Sequence, residues 1–196
     1  MTGVDDELAP PQRRTALVAS VAVGVVMVAL VAVLALGDGE EDEASPLIGR
    51  AAPVVQGGTL EEGDLFDLDE LRGRWVLVNF FAQWCAPCKV EHPELVAFQE
   101  AHDEIGDVQV VSVAFQDDAE DIGAFFAENG GDWPVVVDGV GPIAVAWGVT
   151  GIPESFLVSP QGIVVHKITG GVTAADLESL LAQARGVEPS GAGAGS

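Results

Sequence analysis

The only two cysteines of the chain stand together in Trp84-Cys85-Ala86-Pro87-Cys88-Lys89, directly after the apolar run Trp75-Val76-Leu77-Val78-Asn79-Phe80-Phe81-Ala82. Such a run reads as a buried strand, and a helix is expected to start near Cys85. At a helix start the unpaired amides and the positive dipole end favour a thiolate, the form that attacks disulfides. Cys88 falls one turn further on the same face. Alpha carbons so spaced lie roughly 5 to 6 Å apart, so a disulfide can open and close without large backbone movement. The pair is therefore read as a redox centre of the fold.

Other uses of the pair are weaker. A structural disulfide would close a very small loop and restrain the unfolded chain little. Zinc needs four ligands, and beyond His92 on the same helical face neither His102 nor His166 has ligand spacing, so no metal is expected. Covalent haem attachment needs a histidine directly after the second cysteine, where Lys89 stands. The dithiol itself carries the electrons, and no cofactor is expected.

Every residue from Ala16 to Leu36 is apolar or small and none is charged. As a helix these positions span roughly 31 Å, the thickness of a bilayer's hydrocarbon core. Arg13 and Arg14 precede the run and an acidic stretch from Asp38 to Glu43 follows it, which puts residues 1–15 in the cytoplasm and the remainder outside. A cleaved signal peptide is the competing reading, with Val33-Leu34-Ala35 as a small-residue site, but its apolar stretch is normally only about 7 to 15 residues long. The expectation is a single-pass cell-membrane protein with an uncleaved anchor at 16–36, an acidic linker at 37–46, an extracytoplasmic domain at 47–185 and a disordered Gly/Ala/Ser tail at 186–196. The net charge of −23, with 31 acidic against 8 basic side chains, makes nucleic acid and anionic lipid poor partners, and no nucleic acid is expected.

Within 47–185 strands and helices alternate. Short strands are expected near Val54-Val55 and Leu65–Asp67, a strong strand at 75–82, a helix at 85–103, a strand at 108–115 and a helix at 118–128. Then come Val135–Val137, a short helix near 141–147, strands at 155–158 and 163–167, and a helix at 173–185 with Thr173 as its N-cap. The near-continuous apolar strands imply helices on both faces of the sheet, and the last two strands, joined by Ser159-Pro160-Gln161-Gly162, make it mixed. The fold class is α/β with a mixed central sheet.

Strand, Trp-Cys-x-Pro-Cys, helix, a later Gly-Ile-Pro and a closing hairpin plus helix resemble the thioredoxin fold. Leu47-Ile48-Gly49-Arg50 leading to Pro53, Asn79-Phe80-Phe81-Ala82, Glu91-His92-Pro93-Glu94-Leu95 and Gly151-Ile152-Pro153-Glu154-Ser155-Phe156-Leu157 resemble the membrane-tethered thiol-disulfide proteins of cytochrome c maturation, the CcmG/DsbE type within the TlpA/ResA group. The resemblance covers residues 47–185. It implies Cys85 as the exposed nucleophile, Cys88 as the buried resolving thiol and Pro153 as a cis-proline facing the disulfide. With Trp84, Pro87 and Ile152, Pro153 would form the substrate groove. From the residues alone Pro153 is equally an ordinary turn proline. The implied partners are apocytochrome c or a haem-ligation factor as disulfide substrate, and a membrane electron donor of the CcdA/DsbD type.

Glu91 falls on the helical stripe between Leu95 and Phe98, one turn after Cys88. If buried, its pKa is raised and it can exchange a proton with Cys88; if it sits at the stripe's edge it is simply solvated. Thioredoxins carry an aspartate six positions before the first cysteine, where this chain has Asn79, and Glu91 is the candidate replacement. Glu154, beside Pro153, is a candidate accessory to proton transfer or substrate choice, or a surface residue. His92 reads as a surface histidine, and Pro93 should kink the helix. The segment 117–138 is longer than a minimal thioredoxin needs, as in the TlpA/ResA group. The leading functional expectation is an extracytoplasmic thiol-disulfide oxidoreductase working as a reductase. A folding oxidase is the alternative, followed by a thiol peroxidase and a non-catalytic binding module.

Overall fold

The computed structural model describes residues 22–27, 45–61 and 63–186. Residues 22–27 are helical, and the rest of the expected anchor, nearly all of the linker and the tail beyond 186 lie outside the described residues. Among the described residues no helix is long and apolar enough to cross a membrane.

The unit that begins near residue 44 is a five-stranded sheet in the order β5-β4-β3-β6-β7. Its strands are β3 (Trp75–Phe81), β4 (Val108–Phe115), β5 (Val135–Asp138), β6 (Glu154–Val158) and β7 (Val164–Thr169). β3, β4 and β5 are mutually parallel, whereas β6 runs antiparallel to β3 and to β7. The sheet is mixed, as the β6–β7 hairpin signal requires. A separate antiparallel hairpin, β1 (Gln56–Gly58) with β2 (Leu65–Asp67), precedes it. The strand expected at Val54-Val55 is displaced to Gln56–Gly58. Val55 is instead a buried residue whose carbonyl accepts the Leu68 amide.

Alternation along β3 divides the core. Leu77, Asn79 and Phe81 face α1 (Ala86–Asp103), and Val76, Val78 and Phe80 face the opposite side. On the α1 side, Leu95, Phe98, Ile122, Leu177 and Leu181 join them from α1, α2 (Ala119–Asn129) and α4 (Ala174–Ala184). On the other side, Phe80, Phe156 and Trp147 form a largely edge-to-face aromatic cluster beside α3 (Pro142–Ala146), with centroids 5.0 to 5.9 Å apart. Local chemistry sets the helix starts. Asp118 accepts the Asp121 amide at 3.0 Å, and Thr173 with Asp176 forms a capping box. α1 continues through Pro93, which cannot donate the helical hydrogen bond to Lys89.

His92 departs from the sequence reading. It is buried, its ring packs against Phe125, Phe126 and Trp133 at 4.7 to 5.4 Å, and Nε2 lies 2.9 Å from the Gly130 carbonyl. A carbonyl only accepts, so Nε2 carries the proton. Burial lowers the His92 pKa, and the bond to Gly130 offsets part of that effect. The segment between β4 and β5 supplies the whole aromatic cover, which is why the helix alone could not announce it.

Candidate active site

β3 ends at Phe81, the chain turns through Ala82–Trp84, and Cys85 becomes the N-cap of α1 with extended backbone angles. Its Sγ accepts the Cys88 amide at 3.3 Å, an orphan donor of the first helical turn. Pro87 sits in that same turn, where a missing amide costs nothing. A disulfide joins Cys85 to Cys88, with alpha carbons 5.3 Å apart, inside the separation expected from the spacing. The exposure difference expected between the two sulfurs is absent in this oxidised state, since Cys85 is 5% and Cys88 4% exposed. What separates them is position: one caps the helix and the other lies inside it.

Across from the disulfide, the Ile152–Pro153 bond is cis, and the Ile152 carbonyl oxygen lies 3.7 Å from Cys85 Sγ. Trp84 is 55% exposed at the rim, its Nε1 donating to the Gln116 carbonyl at 3.4 Å. The Gln83 amide donates to Asp117 at 2.7 Å, which ties the turn after β3 to the turn after β4. The Ile152 carbonyl thus stands beside one sulfur, with the cis bond to Pro153 following it.

Glu91 is only 3% exposed and occupies the α1 face that carries Cys88. Its Oε2 accepts from Asn79 Nδ2 at 3.2 Å, and its Oε1 accepts the Val172 amide at 3.2 Å. Asn79 Nδ2 also donates to Ser155 Oγ at 3.0 Å. Both partners of the carboxyl are neutral donors. Burial therefore dominates and raises the Glu91 pKa from 4.5 to about 7, with the bonds from Asn79 and Val172 acting in the lowering direction. Glu91 also borders a cleft of about 370 Å³ between Pro87 and Val90 on one side and Gly171–Thr173 on the other.

Glu154 does not join this group. It is fully buried on the sheet face opposite Asn79 and Ser155, where Oε1 accepts from the Thr150 amide and hydroxyl at 3.3 and 2.9 Å and Oε2 lies 3.1 Å from Lys167 Nζ. A carboxylate so enclosed cannot touch a substrate, so it has no direct part in the exchange, and its contacts are with Thr150 and Lys167. Asn79, Thr150 and Lys167 are the site-linked residues that sequence reasoning missed or left unassigned. The signal for Asn79 was its polar side chain in an otherwise apolar strand. Among the described residues no group of three or more His, Cys, Asp or Glu side chains is arranged to hold a metal ion.

A dithiol that can close into a disulfide at a helix N-terminus, opposite a cis-proline on a mixed five-stranded sheet, defines a thioredoxin-like thiol-disulfide oxidoreductase. The Redoxin family model matches residues 47–182, and the chain belongs to that family. It is 34% identical over 129 residues to the thiol:disulfide interchange protein HelX of Rhodobacter capsulatus, covering 65% of this chain and 70% of that protein. With the thiol:disulfide interchange protein CycY of Rhizobium leguminosarum it shares 36% identity over 115 residues, covering 58% of this chain and 60% of that protein. The chain thus spans between 60% and 70% of these two curated relatives. A crystal structure described as a putative thiol:disulfide interchange protein DsbE from Chlorobium tepidum superposes with a TM-score of 0.62 at 28% identity, covering 71% of this chain and 96% of that one.

Proposed function

We propose that this protein is an extracytoplasmic reductase of protein disulfides, acting on the Cys-x-x-Cys-His segment of apocytochrome c or on a haem-ligation factor during cytochrome c maturation. The motifs Leu47–Pro53, Glu91–Leu95 and Gly151–Leu157 support that substrate class. The observation that carries the exchange reading is Glu91, a buried carboxyl on the helix face of Cys88 with no cationic partner among the described residues.

In the proposed cycle the Cys85 thiolate attacks one sulfur of the partner disulfide. A Cys85–partner disulfide forms, and the partner's other sulfur leaves as a thiolate that takes a proton. Cys88 then gives its proton to Glu91 and attacks Cys85 Sγ. The Cys85–Cys88 disulfide forms, the mixed disulfide breaks, and the partner's second sulfur leaves and is protonated. Two electrons pass from the dithiol to the partner. The closed disulfide described above is the product of this step. Trp84, Pro87 and Ile152 would border the docked chain, and the backbone before Pro153 would pair with it. A membrane donor of the CcdA/DsbD type would return two electrons and two protons by the same exchange run backwards.

The apolar run Ala16–Leu36, flanked by Arg13-Arg14 and the acidic residues after it, supports a single-pass anchor with the N-terminus in the cytoplasm and the catalytic unit outside. Two measurements test the reading. The Cys88→Ser variant should hold its partner as a mixed disulfide identifiable by mass spectrometry. The reduction potential should lie well below the roughly −120 mV of the strongest oxidants with this fold; a value near that figure would make the protein a folding oxidase instead.

A further inference from the structure

Gly148 to Pro153 forms the loop that faces Cys85, and two charged side chains hold it from behind. Glu154 accepts from both the amide and the hydroxyl of Thr150, in the middle of the loop. Lys167, on β7, places Nζ 3.1 Å from Glu154 Oε2 and donates to the Gly148 carbonyl at 3.4 Å, at the start of the loop. The same ammonium lies 5.6 Å from the centroid of the Phe156 ring, within cation-π range. Among the described residues no donor is aligned on Glu154 Oε2 as a hydrogen bond, so the ammonium is its sole compensation. A buried ion pair adds little stability over apolar packing, whereas removing one member leaves an uncompensated buried charge. A pair that is costly to bury, and that grips the loop at Gly148 and Thr150, has its effect on where the loop stands.

We propose that Lys167, acting through Glu154, is a positioning residue for thiol-disulfide exchange. The pair holds the Gly148–Pro153 loop so that the Ile152 carbonyl and the backbone before Pro153 stand at the distance from Cys85 that a docked substrate strand requires. The inference rests on the reading that a substrate chain docks against this loop. It assigns the pair to recognition of extended protein segments and not to the sulfur chemistry, because neither side chain touches Cys85 or Cys88.

The test uses the full-length protein in detergent, reduced, in single-turnover reactions with two oxidants. One is an oxidised peptide containing Cys-x-x-Cys-His, and the other is Ellman's reagent, which has no backbone to pair. Lys167→Met should raise the half-saturating peptide concentration about tenfold or more, as small misplacements of a docking surface do, while the limiting rate and the reaction with Ellman's reagent stay within about twofold of wild type. Lys167→Arg should restore peptide binding. Should Lys167→Met fail to fold, Glu154→Gln/Lys167→Met removes both charges while the glutamine still accepts from Thr150, and the same figures apply to it. Unchanged peptide saturation, or equal losses with both oxidants, would overturn the inference. A wild type inert to both would overturn the exchange reading and this inference together.

Discussion

Glu91→Gln should reshape the pH dependence of stability in a calculable way. In the unfolded chain the Glu91 carboxyl releases its proton near its ordinary 4.5, whereas in the folded protein it keeps the proton until about pH 7. Between those values the folded state binds more protons than the unfolded state, so stability falls as pH rises through this window. At 1.36 kcal/mol per unit, the shift from 4.5 to about 7 corresponds to about 3 kcal/mol lost by pH 8 relative to pH 4. Glutamine does not titrate, and it sets an amide against the Asn79 donor for a pH-independent cost of about 1 kcal/mol. The variant should therefore be slightly less stable than wild type at pH 4 and about 2 kcal/mol more stable at pH 8. Urea unfolding of the oxidised domain, followed by the fluorescence of its four tryptophans at half-unit pH steps, measures the difference directly. Other titrating groups cancel in the subtraction. Parallel stability curves from pH 4 to 8 would refute the claim that a buried, unpaired carboxyl stands at this position.

Further outcomes follow from the same geometry. In the reduced protein iodoacetamide should alkylate Cys85 much faster than Cys88, because Cys85 Sγ receives a backbone donor at the helix start; equal rates in a mass-spectrometric time course would remove the assigned order of attack. Glu91→Gln should slow breakdown of the mixed disulfide by up to about 10² to 10⁴-fold at neutral pH and leave the first attack nearly unchanged, read by stopped-flow fluorescence. Deleting residues 1–36 should leave a folded, active domain, since the unit from Ala44 onward contains both core clusters; a molten product by circular dichroism would contradict this. His92→Ala should cost about 3 kcal/mol through the lost aromatic packing and the lost bond to Gly130. Because the folded His92 pKa is lowered from 6.5, wild type should also lose stability as pH falls below that value, and His92→Phe should remove that component of a melting series.

The elements were legible where a single physical signal ran long enough. β4 matched its expected span of 108–115, and α4 began directly after the anticipated cap Thr173, because an unbroken apolar run and a capping residue are both local. The first strand slipped from Val54-Val55 to Gln56–Gly58 because two apolar residues give no period to count, and Val55 is buried by the Leu68 turn instead. In the site, Cys85, Cys88 and Pro153 were readable from spacing and resemblance. His92 was misread although Cys88, His92, Leu95, Gln99 and His102 fall at alternating steps of four and three and are all buried. That stripe was visible, but its cover comes from Phe125, Phe126 and Trp133, which no helical pattern names. Adjacency to Pro153 suggested that Glu154 lies beside the disulfide. Strand parity points the other way, since Glu154 shares a sheet face with Phe156 and Phe80, whereas Ser155 faces Asn79 and Glu91.

The two buried glutamates show how one residue type is put to opposite uses by what lies beside it. A buried carboxyl is costly when charged, and a protein can relieve that cost by supplying a cation or by letting the group stay protonated. On the α1 side no cation is supplied: Asn79 and Val172 offer only neutral donors, and the carboxyl responds by holding its proton to about pH 7. That places its titration in the range where a neighbouring thiol must give up a proton, and it lies on the helix face of the cysteine that resolves the mixed disulfide. On the far side of the sheet Lys167 faces Glu154, and the Thr150 amide and hydroxyl complete the cradle. There the carboxylate has a fixed partner and a fixed geometry, which suits it to holding a loop. Exchange chemistry needs both a group that exchanges a proton near the sulfur and a frame that holds the loop, and here α1 carries the first against one face of the sheet while β6 carries the second on the other.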